Sequence, residues 1–257
     1  MRWKPGQIAG ILVWALAHCS AAFAQNTPQQ APQQPLRIGA EDDWAPFSSA
    51  SNGAPLGMAV DLVQAIFAEA GVPIQLVPLP YKRCMEEAKA GRIAGCFDTL
   101  PDDQLRKDYR FHAQPLFSDP ILILARADDP VVRLDLAGLE GKKVIVTHGY
   151  TYGDAFEAKR TILRVSASHD VNALRMLHAK RGDYALVYQR ITDLLLQGEA
   201  KALHGKIKSV GPLTQASLYI AFSRRYPGME NIVQRFDAAH ARLLKNQTIS
   251  KIEKRWN

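Results

Sequence analysis

Residues 36–97 read LRIGAEDDWAPFSSASNGAPLGMAVDLVQAIFAEAGVPIQLVPLPYKRCMEEAKAGRIAGCF. Residues 36–40 predict a short strand that runs into an acidic loop, 41–47. Asn52-Gly53 and Pro55 mark turns. From Met58 onward the apolar residues Met58, Leu62, Val63, Ile66, Phe67 and Ala70 recur at a helical period, and Gly71 stops the helix. A second strand is predicted over 74–79, a second helix over 81–90 closed by Gly91, and a third strand over 93–97. The succession is β-α-β-α-β. That pattern belongs to the α/β class, a mostly parallel sheet with helices on its faces.

The order then restarts. Residues 120–127 read as an extended crossing segment and 136–141 as a turn. A buried strand follows over 143–147, then a glycine-led loop and helix over 149–159. Val171, Leu174 and Leu177 share one face of a helix over 169–180. A strand over 184–188, a helix over 192–197 and a returning strand over 218–223 come next. Two amphipathic helices, 228–244 and 248–256, close the chain. Two α/β lobes of about a hundred residues each suit ordinary domain size: 36–119 for the first lobe, 120–217 for the second, 218–257 for the return to the first.

Before this folded region the sequence changes character. Met1-Arg2-Trp3-Lys4 is basic, residues 8–17 are apolar, and Ala22-Phe23-Ala24 places small residues where a signal peptidase reads them. The apolar run is short for a bilayer span. Residues 1–24 therefore read as a cleaved secretory signal, and the protein as exported to the periplasm. The lipoprotein-like environment of Cys19 has a bulky His18 just before the cysteine, which disfavours lipidation. Residues 25–35 (QNTPQQAPQQP) read as a flexible leader. Of 257 residues, 47% are hydrophobic and 22% charged, which excludes whole-chain disorder, collagen and coiled coil. The net charge of +7 drops to +5 once Arg2 and Lys4 leave with the signal. With no dense Lys/Arg stretch, nucleic acid is not an expected partner.

Cys84 and Cys96 then remain as an even pair in an oxidising compartment. Two thiols without spaced histidines do not complete a zinc tetrahedron, and the spacing is not that of a redox Cys-x-x-Cys. A structural disulfide is the expectation. Topology supports it: Cys84 falls in the first turn of the second helix and Cys96 near the end of the next strand, at the same sheet edge. Neither a metal nor a cofactor is expected.

Several blocks, in order, resemble the bacterial periplasmic solute-binding proteins of the polar amino-acid type, solute-binding family 3. Gly39-x-x-x-x-Trp44-Ala45-Pro46-Phe47 resembles the loop after the family's first strand, and Gly57-Met58-Ala59-Val60-Asp61-Leu62 its G-x-x-x-D-L helix start. Residues 88–97 and 106–117 resemble the stretch leading into its F-S-x-P hinge. Leu139-Glu140-Gly141-Lys142-Lys143-Val144 is similar to the opening of its second lobe, and Tyr219-Ile220-Ala221-Phe222-Ser223-Arg224 to its return strand. The resemblance spans residues 36–256. It implies a two-lobed type 2 periplasmic binding protein fold, each lobe a mostly parallel sheet flanked by helices, joined by two crossing segments and closing on a small polar solute. Ligands of open α/β sheets bind beyond the C-terminal strand ends.

The resemblance also implies site residues. Arg106 matches the arginine that clamps a ligand carboxylate, a task suited to a planar guanidinium. The alternative is a solvated arginine in a charged stretch. Thr99 matches a hydroxyl or backbone contact, with Asp98 before it, while Pro101 replaces a second hydroxyl and offers no N–H. Tyr150 and Thr151 fall at a helix N-terminus of the second lobe, a ready anion site. His148 reads as a surface histidine. Trp44 stands where the family stacks an aromatic ring on the ligand, or is a core residue. Glu41 either pairs with a cationic ligand group or belongs to a solvated acidic turn. Tyr188 replaces the family's ammonium-binding carboxylate; Asp98 takes that role, or the ligand lacks an α-ammonium. Tyr81-Lys82-Arg83-Cys84 resembles an aromatic-x-Arg helix start, with Arg83 read as a helix-surface residue.

The expectation is a monomeric, non-enzymatic binder of a small polar, carboxylate-bearing solute, an amino acid or related compound. It would serve an ABC permease or a membrane receptor. The alternative is an exported enzyme on the same fold, resembling cyclohexadienyl dehydratase, with Glu41 or Asp98 as acid/base.

Overall fold

The computed structural model describes residues 1–2 and 34–256. The expected signal segment and all but the end of the expected leader fall on residues 3–33, outside the described residues.

The first strand, β1 (Leu36–Glu41), enters the sheet at once. The stretch read as turns forms a small antiparallel sheet of β2 (Asp43–Trp44), β3 (Ser48–Ser51) and β4 (Ala54–Leu56). Its hairpin is Asn52-Gly53, where both residues take positive φ, as a tight two-residue turn requires. Helix α1 (Met58–Glu69) buries Met58, Leu62, Val63, Ile66 and Phe67, and Gly71 at φ 63° ends it. β5 (Ile74–Leu79) pairs in parallel with β1 on one side. Helix α2 (Tyr81–Lys89) leads to β6 (Gly95–Thr99), parallel to β1 on the other. β6 starts two residues later than its apolar pattern, because the turn closing α2 runs on to Arg92, whose N–H bonds the Glu87 carbonyl at 3.0 Å.

After α3 (Asp103–Asp108) and β7 (Tyr109–Arg110), the chain crosses on β8 (Phe117–Arg126). The second half comprises β9 (Lys143–Thr147), α4 (Asp154–Glu157), β10 (Leu163–Ala167), α5 (Asp170–His178), β11 (Tyr184–Tyr188) and α6 (Gln189–Gln197). It returns on β12 (Ile207–Ser223) and ends in α7 (Met229–Lys245) and α8 (Thr248–Arg255). The strand order is β10-β9-β11-β8-β12-β6-β1-β5, with β7 against β12.

β12 is far longer than the six-residue strand expected over 218–223. It pairs antiparallel with β8 from Ile207 to Leu218, then passes to β6 over Tyr219–Phe222. Gly211 and Pro212 sit at register shifts, so the ladder absorbs residues that would break an isolated strand. The β8–β12 ribbon thus joins two parallel half-sheets. β6 and β11 are buried at every residue, and β11 reads as a near-continuous apolar run, as a parallel strand inside a covered sheet does. Among the described residues no helix is long and apolar enough to cross a membrane.

Cys84 and Cys96 form a disulfide, with Cα atoms 5.8 Å apart. Cys84 lies in the first turn of α2; Cys96 is the second residue of β6 rather than near its end. A side chain at position 39 would collide with Cys84 Sγ, so Gly39 makes room for the bridge.

Candidate functional site

The C-terminal ends of β1, β6, β9 and β11 converge on one pocket. Its walls are Glu41 from β1, Trp44, Tyr81 from the first turn of α2, Asp98 and Leu100 at the end of β6, Tyr150 and Thr151 after β9, and Tyr188 ending β11. Counted together with the solvent space at its mouth, the region between these walls measures about 240 Å³.

Four aromatic rings box it in. Trp44 meets Tyr188 edge-on, centroids 5.0 Å apart at 89°, and Tyr150 at 6.2 Å and 83°. Tyr150 in turn meets Tyr81 at 5.4 Å and 81°. Burial pushes the Tyr81, Tyr150 and Tyr188 phenols upward, so all three are uncharged near neutrality.

Two carboxyl groups share this box. Glu41 and Asp98 are each 5% exposed. Asp98 adopts φ 66°, a left-handed backbone conformation unusual outside glycine. Both of its carboxylate oxygens lack a hydrogen-bond partner, and burial alone drives its pKa well above the usual range. Glu41 is also raised, first by burial and then by the neighbouring Asp98, Asp170 and Asp42 charges, against the opposing Tyr150 hydroxyl that donates to Glu41 Oε1. No Lys or Arg lines the pocket, so nothing cationic neutralises these acids.

A third acid stands behind Trp44. Asp170 accepts from the Thr147 hydroxyl, and burial lifts it to about 6 despite that bond and the nearby Trp44 indole N–H. Neither Trp44 Nε1 nor Asp170 Oδ2 has a formed hydrogen bond. Outside the box, Glu41, Tyr81 and Tyr150 also border a wider recess of about 1040 Å³ with Asp42, Asp43, Lys82, His148 and His169. Glu41 and Tyr150 therefore meet between chamber and mouth.

Several bonds cross from one half to the other. Thr151 Oγ1 donates to the Leu100 carbonyl at 2.9 Å, and the Asp103 N–H to Asp154 Oδ1 at 2.7 Å. His169 Nε2 lies 3.6 Å from Asp43 Oδ2, and Arg190 Nη1 lies 3.2 Å from Met58 Sδ.

Glu41, Trp44, Asp98, Tyr150, Thr151 and Tyr188 thus come together as one lining. Thr99 does not join them: it is fully buried, its hydroxyl 3.5 Å from Met85 Sδ and from the Cys96 carbonyl. Arg106 lies on the exposed side of α3, a helix with no buried residue, where its carbonyl accepts from Arg224. Nor does an anion site form at the helix N-terminus expected near Tyr150 and Thr151. Helix α4 starts only at Asp154, is four residues long, and carries Asp154 and Glu157 in its first turn. Arg83 is exposed on α2, and the residue of that segment that faces the pocket is Tyr81. Tyr81 opens a helix just after a parallel strand, a position that the strand-end rule marks for ligand contact. Among the described residues no group of three or more His, Cys, Asp or Glu is placed to hold a metal ion.

Residues 36–257 match the family model for bacterial extracellular solute-binding proteins, family 3. No curated protein matches the chain in sequence. Among solved structures, a histidine kinase sensor domain similar to periplasmic binding proteins superposes with a TM-score of 0.75 at 21% identity, covering 87% of this chain and 96% of that one. The arginine-, lysine-, histidine-binding protein ArtJ of Geobacillus stearothermophilus gives 0.72 at 17%, over 87% and 95%. An ancestral amino-acid-binding protein, a precursor of cyclohexadienyl dehydratase, gives 0.69 at 21%, over 86% and 94%. At these identities the likeness establishes the fold.

Proposed function

The chain belongs to the bacterial extracellular solute-binding proteins, family 3, and we propose that it captures a small polar solute carrying a positively charged group in the pocket between its half-sheets. The observation that carries this reading is Asp98: a buried acid without a partner, beside Glu41, inside a box of aromatic rings. Aromatic faces attract cations, and a buried carboxylate is stable only with a counter-charge. A solute holding both halves would shift an open–closed equilibrium toward the closed form. The protein works as a periplasmic monomer after signal removal and passes the solute to an ABC permease or reports it to a membrane receptor. The fold serves both roles, since its likenesses include a sensor domain and amino-acid-binding proteins.

The carboxylate expected on the solute has no counterpart in the pocket, because Arg106 is exposed elsewhere. A second reading is an enzyme on this fold. It is favoured by Glu41 and Asp98, two neighbouring carboxyl groups whose burial raises their pKa toward the acid form that a general acid needs.

A thermal-shift screen of the purified protein against amino acids, amines, carboxylates and prephenate tests both. A ligand at a hundred times its dissociation constant stabilises the fold by about 2.7 kcal/mol. A shift with the compound recovered unchanged by mass spectrometry is expected. Consumption of the compound would favour the enzyme, and a screen without any shift would overturn the binding assignment.

A further inference from the structure

We propose that the solute is an amine or guanidine that carries no carboxylate, held between Glu41 and Asp98 and walled by Trp44, Tyr81, Tyr150 and Tyr188. The inference rests on this pocket being the solute site. It goes further in excluding zwitterions, which a solute of the amino-acid kind would be.

Charge is the first argument. The lining carries two acids, with a third, Asp170, behind Trp44, and no Lys or Arg. A carboxylate brought into the chamber would meet like charge, or else acids that must stay protonated, and would exchange water for little in return. The second argument is that two of the lining donors are already engaged. The Tyr150 hydroxyl donates to Glu41 and Thr151 Oγ1 to the Leu100 carbonyl, while the unpaired Trp44 Nε1 lies beside the third acid, Asp170. The anion site that a helix N-terminus could have supplied is taken up, since Asp154 accepts from Asp103 N–H and Glu157 from Tyr152 N–H. Asp98, by contrast, has both oxygens without a donor. An ammonium or guanidinium supplies N–H donors and charge together, and the four aromatic rings, meeting edge-on in three pairs, offer it π faces.

The decisive experiment titrates the purified full-length protein, by calorimetry, with matched pairs of an amino acid and its decarboxylation product. The pairs are arginine and agmatine, lysine and cadaverine, histidine and histamine; glycerol and a dicarboxylate complete the set. At least one amine should bind at least tenfold more tightly than its parent acid. Asp98→Asn should weaken that amine at least tenfold and narrow the gap between amine and amino acid, a change that general loosening of the fold would not produce. Glu41→Gln gives the same test if the first variant folds poorly. A parent amino acid that binds as tightly as its amine, or more tightly, overturns the inference and leaves the solute-binding function standing. Binding of only the polyol or the dicarboxylate overturns the cationic reading as well. Binding of nothing in the set counts against both.

Discussion

Two regions of this molecule bury titratable groups without partners, and they differ in what lies beside them. Asp98 sits near the end of β6 with both oxygens unpaired and its side chain among the pocket's walls. His240, on α7, has both ring nitrogens unpaired, but its neighbours are Phe236 and His112, packed into the same core. His112 is better off, since its Nε2 accepts the Ile220 N–H at 2.9 Å. In each region burial favours the neutral form. Asp98 is raised by burial; His112 falls to about 3, by burial and then the nearby His240, and His240 is lowered by burial against the pull of Asp237. An unpaired buried group therefore signals a ligand only where a cavity adjoins it. The histidine pair is a packing feature, while the acid pair borders the pocket.

The comparison is open to direct attack through pH. The histidines are depressed below their unfolded value near 6.5, so the stability they contribute is fully present above 6.5 and is lost as pH falls toward about 3. His112 alone should cost roughly 3 kcal/mol between pH 7 and pH 4. His240→Leu should leave stability at pH 7 unchanged or higher and make the acid slope shallower, measured by urea unfolding across that range. The acids run the other way: Glu41 and Asp98 are raised, so their contribution is present below the unfolded carboxylate value and is lost as pH rises through the folded one. Asp98→Asn should flatten that alkaline-side loss. An unaltered slope in either variant breaks the contrast between the regions.

The staple beside the pocket comes next in size. Cys84 follows Tyr81 by one helical turn and Cys96 precedes Asp98 by two residues, so the disulfide ties two pocket walls together. Replacing both cysteines with alanine should cost about 2.8 kcal/mol by chain entropy and loosen solute binding, while the slope due to the histidines stays as it was. Tyr150→Phe removes the hydroxyl from Glu41 and should cost about 1 kcal/mol, with affinity falling severalfold in calorimetry. Least affected is Arg106→Ala. Its exposed side chain predicts a stability change within about 0.5 kcal/mol and unchanged affinity. A collapse of affinity there would restore the carboxylate clamp and sink the cationic reading.

Legibility followed local physics. The strands at 74–79, 143–147 and 184–188 were read with their observed limits because apolar runs bounded by Pro, Gly or turn residues leave little ambiguity. β10 escaped notice because Leu-Arg-Val-Ser-Ala on a sheet edge is half exposed and weakly patterned. The first part of β12 escaped because Gly211 and Pro212 look like breakers until β8 supplies the pairing. At the site, Glu41, Trp44 and Tyr188 are candidates through the family resemblance, and all three line the pocket. Tyr81 carries no such signal in the sequence, since only helix phase tells that it, and not Arg83, faces inward.

Periodicity, turn residues and block order determined the α/β class, the order of elements and the pairing of Cys84 with Cys96, because those follow from contacts near in the chain or from strand-end topology. The identity of the pocket's walls was decided only by the tertiary structure. Whether Glu41 is solvated or buried, whether Arg106 reaches the chamber, and whether Asp98 finds a donor depend on residues a hundred positions away. Tyr150, which arrives opposite Glu41 only when the two half-sheets meet, is the clearest case. Burial and hydrogen bonding set the charge of those groups, and no stretch of sequence carries either quantity by itself.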